Sequence, residues 1–452
     1  MSELTFPSDG AVLSRSALDR ARGLLARLKS AEGGAGLGRA ASGAFLIRVA
    51  SAAIAFLSQP LLARLMGSHE FGIYAYVWTW ALLFGGIADC GLATAAQRFI
   101  PEYEGRGALG LLRGFTTGSR WLATLTASAI AVLAACAVYL LAGALDQRVV
   151  VPMYVACATL PFWSLCNTQD GIARSYGWIG LALLPIYIIR PLAIIAILLA
   201  AHVMGIAASA VSIMVATVIA GIATAVWQTA VLNRRLRDQV AHVPATYDFP
   251  VWIRTSLPIS VSVGAYYLLS YADVLILQIY RSPKDIAIYY AVQKLLAIVA
   301  FVHFSVAAAV AHRFTEHRTA GETDKLAAFY STSRHWAFWP SMTGLAGLLV
   351  CGWPLLWLFG PDFTEGYSLI PLLAIGLLAR AAAGPAERLL TMVGRQAACA
   401  LVYLLALATS VACCFVLIPQ LGPTGAAIST SFALVVESFI LFTLARRELA
   451  KA

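Results

Sequence analysis

The sequence predicts an all-α polytopic membrane protein of about twelve transmembrane helices, built as two six-helix bundles around a central cavity. Three observations lead there. Of 452 residues, 60% are hydrophobic and 12% charged, and the mean hydropathy is +0.79, far outside the range of soluble domains. The apolar residues fall in runs of about 20 or more, the length at which a helix crosses hydrocarbon with its backbone groups bonded internally, and no ten-residue alternation of a β-barrel is seen. The chain also repeats itself. Leu65 to Phe99 (LMGSHEFGIYAYVWTWALLFGGIADCGLATAAQRF) returns without a gap over Tyr280 to Phe314 (YRSPKDIAIYYAVQKLLAIVAFVHFSVAAAVAHRF), setting Glu70 on Asp285, Tyr74 on Tyr289, Ala93 on Ala308 and Arg98 on Arg313. A chain built twice, with an even number of spans per half, predicts a parallel internal repeat about an axis along the membrane normal.

The elements follow in order. In residues 1–40, Ser14 to Ala31 sets Leu18, Leu24, Leu25 and Leu28 against Arg15, Arg20, Arg22, Arg27 and Lys29. At helical spacing this is a basic amphipathic segment suited to an anionic leaflet, with a solvated tail as the plainer alternative. It has no apolar core or cleavage site of a signal peptide. Six spans make the first bundle, 41–232: Ala41 to Leu65, Phe71 to Phe99, Gly118 to Leu145, Val150 to Gly171, Ile179 to Val203 and Ile206 to Leu232. A polar, basic linker occupies 233–250. Six more spans make the second bundle, 251–447: Trp252 to Tyr280, Ile286 to Phe314, Trp336 to Phe359, Tyr367 to Thr391, Gln396 to Ile418 and Thr424 to Ala445, followed by a short tail, 448–452. Trp121 and Trp336 match in the third span of each half.

Charge placement sets the orientation. The net charge of +10 comes mostly from Lys and Arg in the tail, the even loops and the C-terminus, whereas the odd loops carry Arg64, Arg148, Arg281 and Lys284. This places both termini in the cytoplasm and argues against nucleic acid as a partner. The eight cysteines lie within apolar runs without metal-ligand spacing and read as small core residues.

Charges inside the spans are the candidate functional residues. Each costs about 2.5 to 3.5 kcal/mol at the centre of an isolated helix, so each must face a cavity, pair, or snorkel to the interface. At 1.5 Å per residue, Asp273 and Lys294 both lie roughly 11 Å from the odd-loop ends of their spans and are expected to pair. Arg48 and Asp89, roughly 10 and 15 Å from the opposite side, form a looser candidate pair, with snorkelling the alternative for Arg48. Arg120 and Arg254 lie within a turn of the boundary, where snorkelling competes with a place in the substrate path. Arg190 and Arg380 sit near mid-span and are expected to offer planar, permanently charged donors to a phosphate or diphosphate. An internal pair of Arg380 with Glu387, two turns on, is the alternative. Glu437 has no local partner and is a candidate coupling carboxylate. The reading therefore assigns Arg190, Arg380, Arg48, Lys294 and Arg254 to substrate, and Asp89, Asp273, Glu437 and Glu387 to gating or ion coupling. Pro185 and Pro191 around Arg190, and Gly384-Pro385 near Arg380, mark expected helix distortions.

No phosphate-cradling loop, HExxH or nucleophile elbow occurs, so the chain is not expected to be an enzyme or to hydrolyse ATP. No cofactor is expected beyond a coupling proton or sodium ion.

LARLMGSHEFGIYAY followed by IADCGLATAAQRF, and Tyr271-Ala272-Asp273 followed by Ala287-Ile288-Tyr289-Tyr290-Ala291 and Lys294, resemble the two signatures of the polysaccharide transporter family, the O-antigen flippase-like branch of the multidrug/oligosaccharidyl-lipid/polysaccharide exporter superfamily. The resemblance runs from about Ala41 to Arg447. It implies alternating-access flipping of polyprenyl-diphosphate-linked oligosaccharide across the bacterial inner membrane, in the service of polysaccharide polymerase or export machinery. Asp89, Asp273 and Lys294 carry over as family-pattern residues. Ala287, where a glycine is common, and Val274, where an arginine often follows the Asp, depart from the pattern. A drug or cation antiporter of the same superfamily is the alternative; a membrane glycosyltransferase or ligase is a third, set back by the short odd loops.

Overall fold

The structure is a computed structural model that describes the backbone of residues 10–143, 145–240, 243–319 and 322–451, with side chains from residue 49 on except at a few positions. Contacts separate Met1–Ala50 from a second compact unit, Ser51–Ala452. The amphipathic pattern of Ser14 to Ala31 and the side chain of Arg48 lie outside the described side chains.

The described residues are helical throughout, as expected, with eleven helices long and apolar enough to cross a membrane. The first of these, Val49–Gly105, has 57 residues, about 85 Å at 1.5 Å per residue and far more than one bilayer needs. It joins the end of α1 (Gly10–Ala88) to α2 (Leu92–Gly105), and α1 breaks at Gly67, where φ is 77° and ψ is 167°. A residue with a Cβ adopts that conformation only at a cost, so the Gly67-Ser68 turn is where the chain reverses. This one helix therefore accounts for two crossings.

The second crossing is itself interrupted. α1 ends at Ala88, Cys90 and Gly91 have φ of 49° and 74°, and α2 (Leu92–Gly105) begins anew. The continuous span expected over Phe71 to Phe99 is thus broken at Asp89-Cys90-Gly91. The aligned positions of the second copy, Phe304-Ser305-Val306, continue smoothly inside α9 (Pro283–Thr319). Between lie α3 (Leu109–Leu141), α4 (Gln147–Ser175), α5 (Ile179–Leu184), a π turn (Pro185–Ile189), α6 (Arg190–Val203) and α7 (Ala210–Gln239). α8 (Phe249–Tyr280) opens the second half, and α10 (Thr323–Trp357), a 3-10 turn (Pro361–Ser368), α11 (Leu369–Ala383), α12 (Ala386–Met392), α13 (Gln396–Leu421) and α14 (Pro423–Lys451) complete it. The expected span Tyr367 to Thr391 is divided at Gly384-Pro385. In the first half α4 packs against α2, α3 and α7; in the second, α14 packs against α11 and α13, and α9 against α10.

The two halves are joined at both ends. At the odd-loop end Phe71 meets Tyr290 and Phe363 with ring centroids 6.0 and 5.8 Å apart, and Phe359 closes the cluster. Polar clasps surround it: Arg64 donates to the carbonyls of Leu358 and Trp357, both at 2.7 Å, and Ser68 donates to Asp362 at 2.6 Å. The four basic residues of the odd loops are all engaged, Arg148 with His69, Arg281 with the Pro419 carbonyl and Lys284 with Glu365. At the other end the linker lies along α3. Thr246 donates its N–H to Gly110 O at 2.9 Å, Arg113 donates to Val243 O at 2.7 Å, and Trp252 donates to the Tyr103 hydroxyl at 3.0 Å.

The odd-loop closure depends on close backbone approach. A Cβ at Gly72 would stand 1.7 Å from the Pro283 carbonyl oxygen, which no side-chain rotation relieves. Gly72→Ala is expected to force the halves apart at this end and to lower the thermal stability of the detergent-purified protein by about 1 to 3 kcal/mol. Gly105→Ala, which meets nothing within 4 Å, serves as the control and is expected to leave the melting temperature unchanged.

Candidate functional site

The helix breaks and the buried charges belong together. In hydrocarbon an interrupted helix must have its freed backbone groups satisfied by protein. At the Asp89 break, the carboxylate accepts from the N–H groups of Gly91 at 3.0 Å and Ala93 at 3.4 Å, capping α2. Neighbouring helices add to the bonding at the break: Thr126 donates to Ala88 O, and Ser260 donates to Ile87 O, which also accepts the Cys90 N–H. A Cβ on Gly91 would lie 2.4 Å from Ser256 O of α8, so the positive φ and the contact between halves both require glycine there. Asp89 therefore has a local backbone role that its expected pairing with Arg48 did not foresee.

Arg190 stands where the second distortion ends. Pro191 lacks an N–H, and its ring would collide with the carbonyl four residues back, Tyr187. One added residue in the turn relieves this, giving the π segment Pro185–Ile189, with the Arg190 N–H bonded to Pro185 O. The guanidinium, on a residue only 8% exposed, lies 4.3 Å over the Trp163 ring. Trp163 in turn packs on Trp78 at 5.4 Å. No carboxylate pairs with Arg190 among the described residues.

Asp273 and Lys294 do not form the expected pair. Asp273, 3% exposed, accepts from the Tyr289 hydroxyl at 2.6 Å, Thr430 at 2.8 Å and Gln293 at 2.9 Å. Tyr289 and Gln293 are four residues apart and share a face of α9. Tyr290 and Lys294 occupy the next face, about 100° round the helix, and the Lys294 ammonium sits 4.3 Å over the Tyr290 ring instead. The one-residue rotation about α9 decides the partners.

Arg380 has a partner, but not Glu387. Gly384, with φ of 66°, and Pro385 end α11, so the helical alignment of Arg380 with Glu387 is lost. The freed carbonyls of Ala382 and Ala383 accept from Arg334 and the Tyr330 hydroxyl at 3.0 and 2.8 Å. Arg380 bonds Glu437 Oε1 on α14 at 3.0 Å. Glu437, 1% exposed, thus has the partner the sequence did not reveal, while its Oε2 and the buried His303 Nδ1 have no hydrogen bond. Glu387 remains within electrostatic range of Arg380 and of Tyr403, which also faces Glu437. Arg254 is exposed near the start of α8, as snorkelling predicts. Arg120 bonds Asn233 and the Thr116 carbonyl.

The buried cations therefore divide into two kinds. Arg380 is neutralised by Glu437. Arg190 and Lys294 rest on aromatic faces, an interaction of about 2 kcal/mol or more when desolvated, against roughly 2.5 to 3.5 kcal/mol for a charge at the centre of a membrane helix, and no carboxylate pairs with either among the described residues. Both are under-compensated and suited to an anion. Trp163 and Tyr290 were missed in the sequence because aromatic residues within apolar runs look like core.

A family model described as polysaccharide biosynthesis protein matches residues 37–314. No curated protein matches the sequence at a significant level. Among solved structures, an inward-facing conformation of a multidrug resistance MATE family transporter of the MOP superfamily superposes with a TM-score of 0.76 at 15% identity, covering 90% of this chain and 98% of that one. Lipid II flippase MurJ in an inward closed conformation gives 0.69 at 12% identity, covering 90% and 89%. An outward-facing conformation of a MATE family transporter gives 0.62 at 14% identity, covering 91% and 94%. These likenesses establish the fold, and the family match spans more than half of the sequence; the chain belongs to the family of polysaccharide biosynthesis proteins and carries the fold of MOP-superfamily transporters.

Proposed function

We propose that the chain is a flippase that moves polyprenyl-diphosphate-linked oligosaccharide across the bacterial inner membrane by alternating access. The observation that carries this reading is the pair of under-compensated cations, Arg190 in the first half and Lys294 in the second, each seated on a ring and without a carboxylate. A diphosphate presents several acceptor oxygens to the planar guanidinium and to the point charge of the ammonium. Arg380, whose charge is matched by Glu437, acts within the second bundle. Membership of a polysaccharide biosynthesis family and the likeness to a lipid II flippase agree with a lipid-linked glycan as cargo.

With both termini in the cytoplasm, the clasp of Arg64, Ser68 and the Phe71 cluster closes the outer side. The higher similarity to an inward-facing transporter than to an outward-facing one is consistent with this state. Opening the outer side requires those contacts to part while the halves rock about the site. Glu437 and Asp273 are the carboxylates placed to bind a coupling proton or sodium ion. A drug or cation antiporter is less well served, because Arg190 and Lys294, cations with no carboxylate partner among the described residues, would repel an organic cation.

Reconstituted protein is expected to move a fluorescent polyprenyl-diphosphate sugar between leaflets, read by quenching from outside. Arg190→Ala and Lys294→Ala should each slow this at least about tenfold, the loss of one charged hydrogen-bonding contact, at unchanged protein yield; wild-type rates in both would refute the assignment. In the cell, deletion should trap lipid-linked repeat units on the cytoplasmic face with loss of surface polysaccharide. Breaking the other pair has a different signature. Arg380→Ala leaves Glu437 buried and unpaired and should cost about 3 to 5 kcal/mol in thermal stability, whereas the double change Arg380→Met with Glu437→Leu should recover most of it.

A further inference from the structure

Tyrosines of α8 lie close to the ring that carries Arg190: Trp163 stands against Gly85 of α1 and Tyr267 against the next residue, Gly86. Tyr267 and Tyr271, one helical turn apart, stack with centroids 6.2 Å apart and planes inclined by 16°, and Tyr266 meets Tyr267 edge to face at 6.0 Å. Their positions tie them to both cations. Tyr271 lies within electrostatic range of Lys294 and Tyr290. Tyr267 lies within range of Tyr187, which in turn neighbours Arg190. Tyr267 also packs against the first half. The Tyr267 ring reaches so far toward α1 that a Cβ on Gly86 would stand 2.3 Å from its Cε2. Both tyrosines are half-buried, so part of each ring is left open.

Phenol rings of this kind are unusual neighbours for a pure anion site. A diphosphate gains little from a ring face, whose quadrupole is negative. A pyranose gains more: the C–H groups on one face of the sugar are apolar and lie flat on an aromatic ring, while its hydroxyls remain free to hydrogen-bond. Tyr267 stands near the Trp163 ring that carries Arg190, and Tyr271 lies within electrostatic range of Lys294, as the first sugar of a diphosphate-linked glycan lies near its phosphates.

We infer that Tyr267 and Tyr271 form the carbohydrate-facing surface of the site, receiving the sugar attached directly to the diphosphate that Arg190 and Lys294 hold. This rests on the proposed diphosphate-linked cargo and adds a specificity element to it. The residues act by stacking, so the ring and not the hydroxyl is what matters.

The test is a pair of affinities for the detergent-purified full chain, measured by titration calorimetry with farnesyl diphosphate and with farnesyl diphosphoglucose. Wild type is expected to bind the glucosyl probe about tenfold more tightly, the gain of one good stacking contact. Tyr267→Ala with Tyr271→Ala should erase that preference, and the corresponding double Phe variant should keep it. Equal binding of both probes by wild type would overturn the inference while leaving the diphosphate reading intact, as would an alanine pair that weakens both probes by the same factor. Binding of neither probe by wild type would overturn the diphosphate reading itself, and the inference with it.

Discussion

Everything in this fold answers to one constraint: no water is at hand in hydrocarbon to satisfy a free backbone group or a charge. Where the helices run unbroken, the constraint is met without side chains. Where they break, at Asp89-Cys90-Gly91, Pro185–Ile189 and Gly384-Pro385, side chains from neighbouring helices complete the bonding. Thr126, Ser260, Arg334 and Tyr330 all serve in this way. A break in one helix thus obliges its neighbours to carry polar residues at matching depth, and the polar interior of the bundle follows from its interruptions.

The same constraint sorts the charges. Asp89 is spent on a helix cap and Asp273 on a network of two hydroxyls and an amide. Arg380 and Glu437 cancel one another. Arg190 and Lys294 remain, each resting on an aromatic ring. A residual positive potential in a low-dielectric interior is a strong attractor for an anion, because nothing screens it. The compensated charges are bonded within the fold, and Arg190 and Lys294 have no carboxylate partner among the described residues.

The closure of one end and the linker contacts at the other give the molecule its mechanical character. The odd-loop end is sealed by rings and by hydrogen bonds between short turns, contacts that part without disturbing a helix. At the opposite end the linker is bonded along α3, and the start of α8 is bonded to α2 through Trp252 and Tyr103.

Much of this was legible in the amino-acid sequence, because hydrophobic run length, loop charge and a gap-free internal match are one-dimensional properties. The helical class and the long apolar helices follow from them, and the distortions near Arg190 and Arg380 follow from the placement of Pro185, Pro191, Gly384 and Pro385. The partners do not. Tyr289 and Gln293 face Asp273 while Lys294 turns to Tyr290, since one residue rotates a side chain by about 100°, and depth alone cannot register that. Glu437, far from Arg380 in the chain, became its partner only when α11 ended at Gly384 and packed on α14. The sequence by itself determined that there would be charges at mid-membrane. Only the tertiary structure decided which of them were neutralised and which were left free, because pairing depends on the facing surfaces of helices distant in sequence, and burial makes every such meeting count.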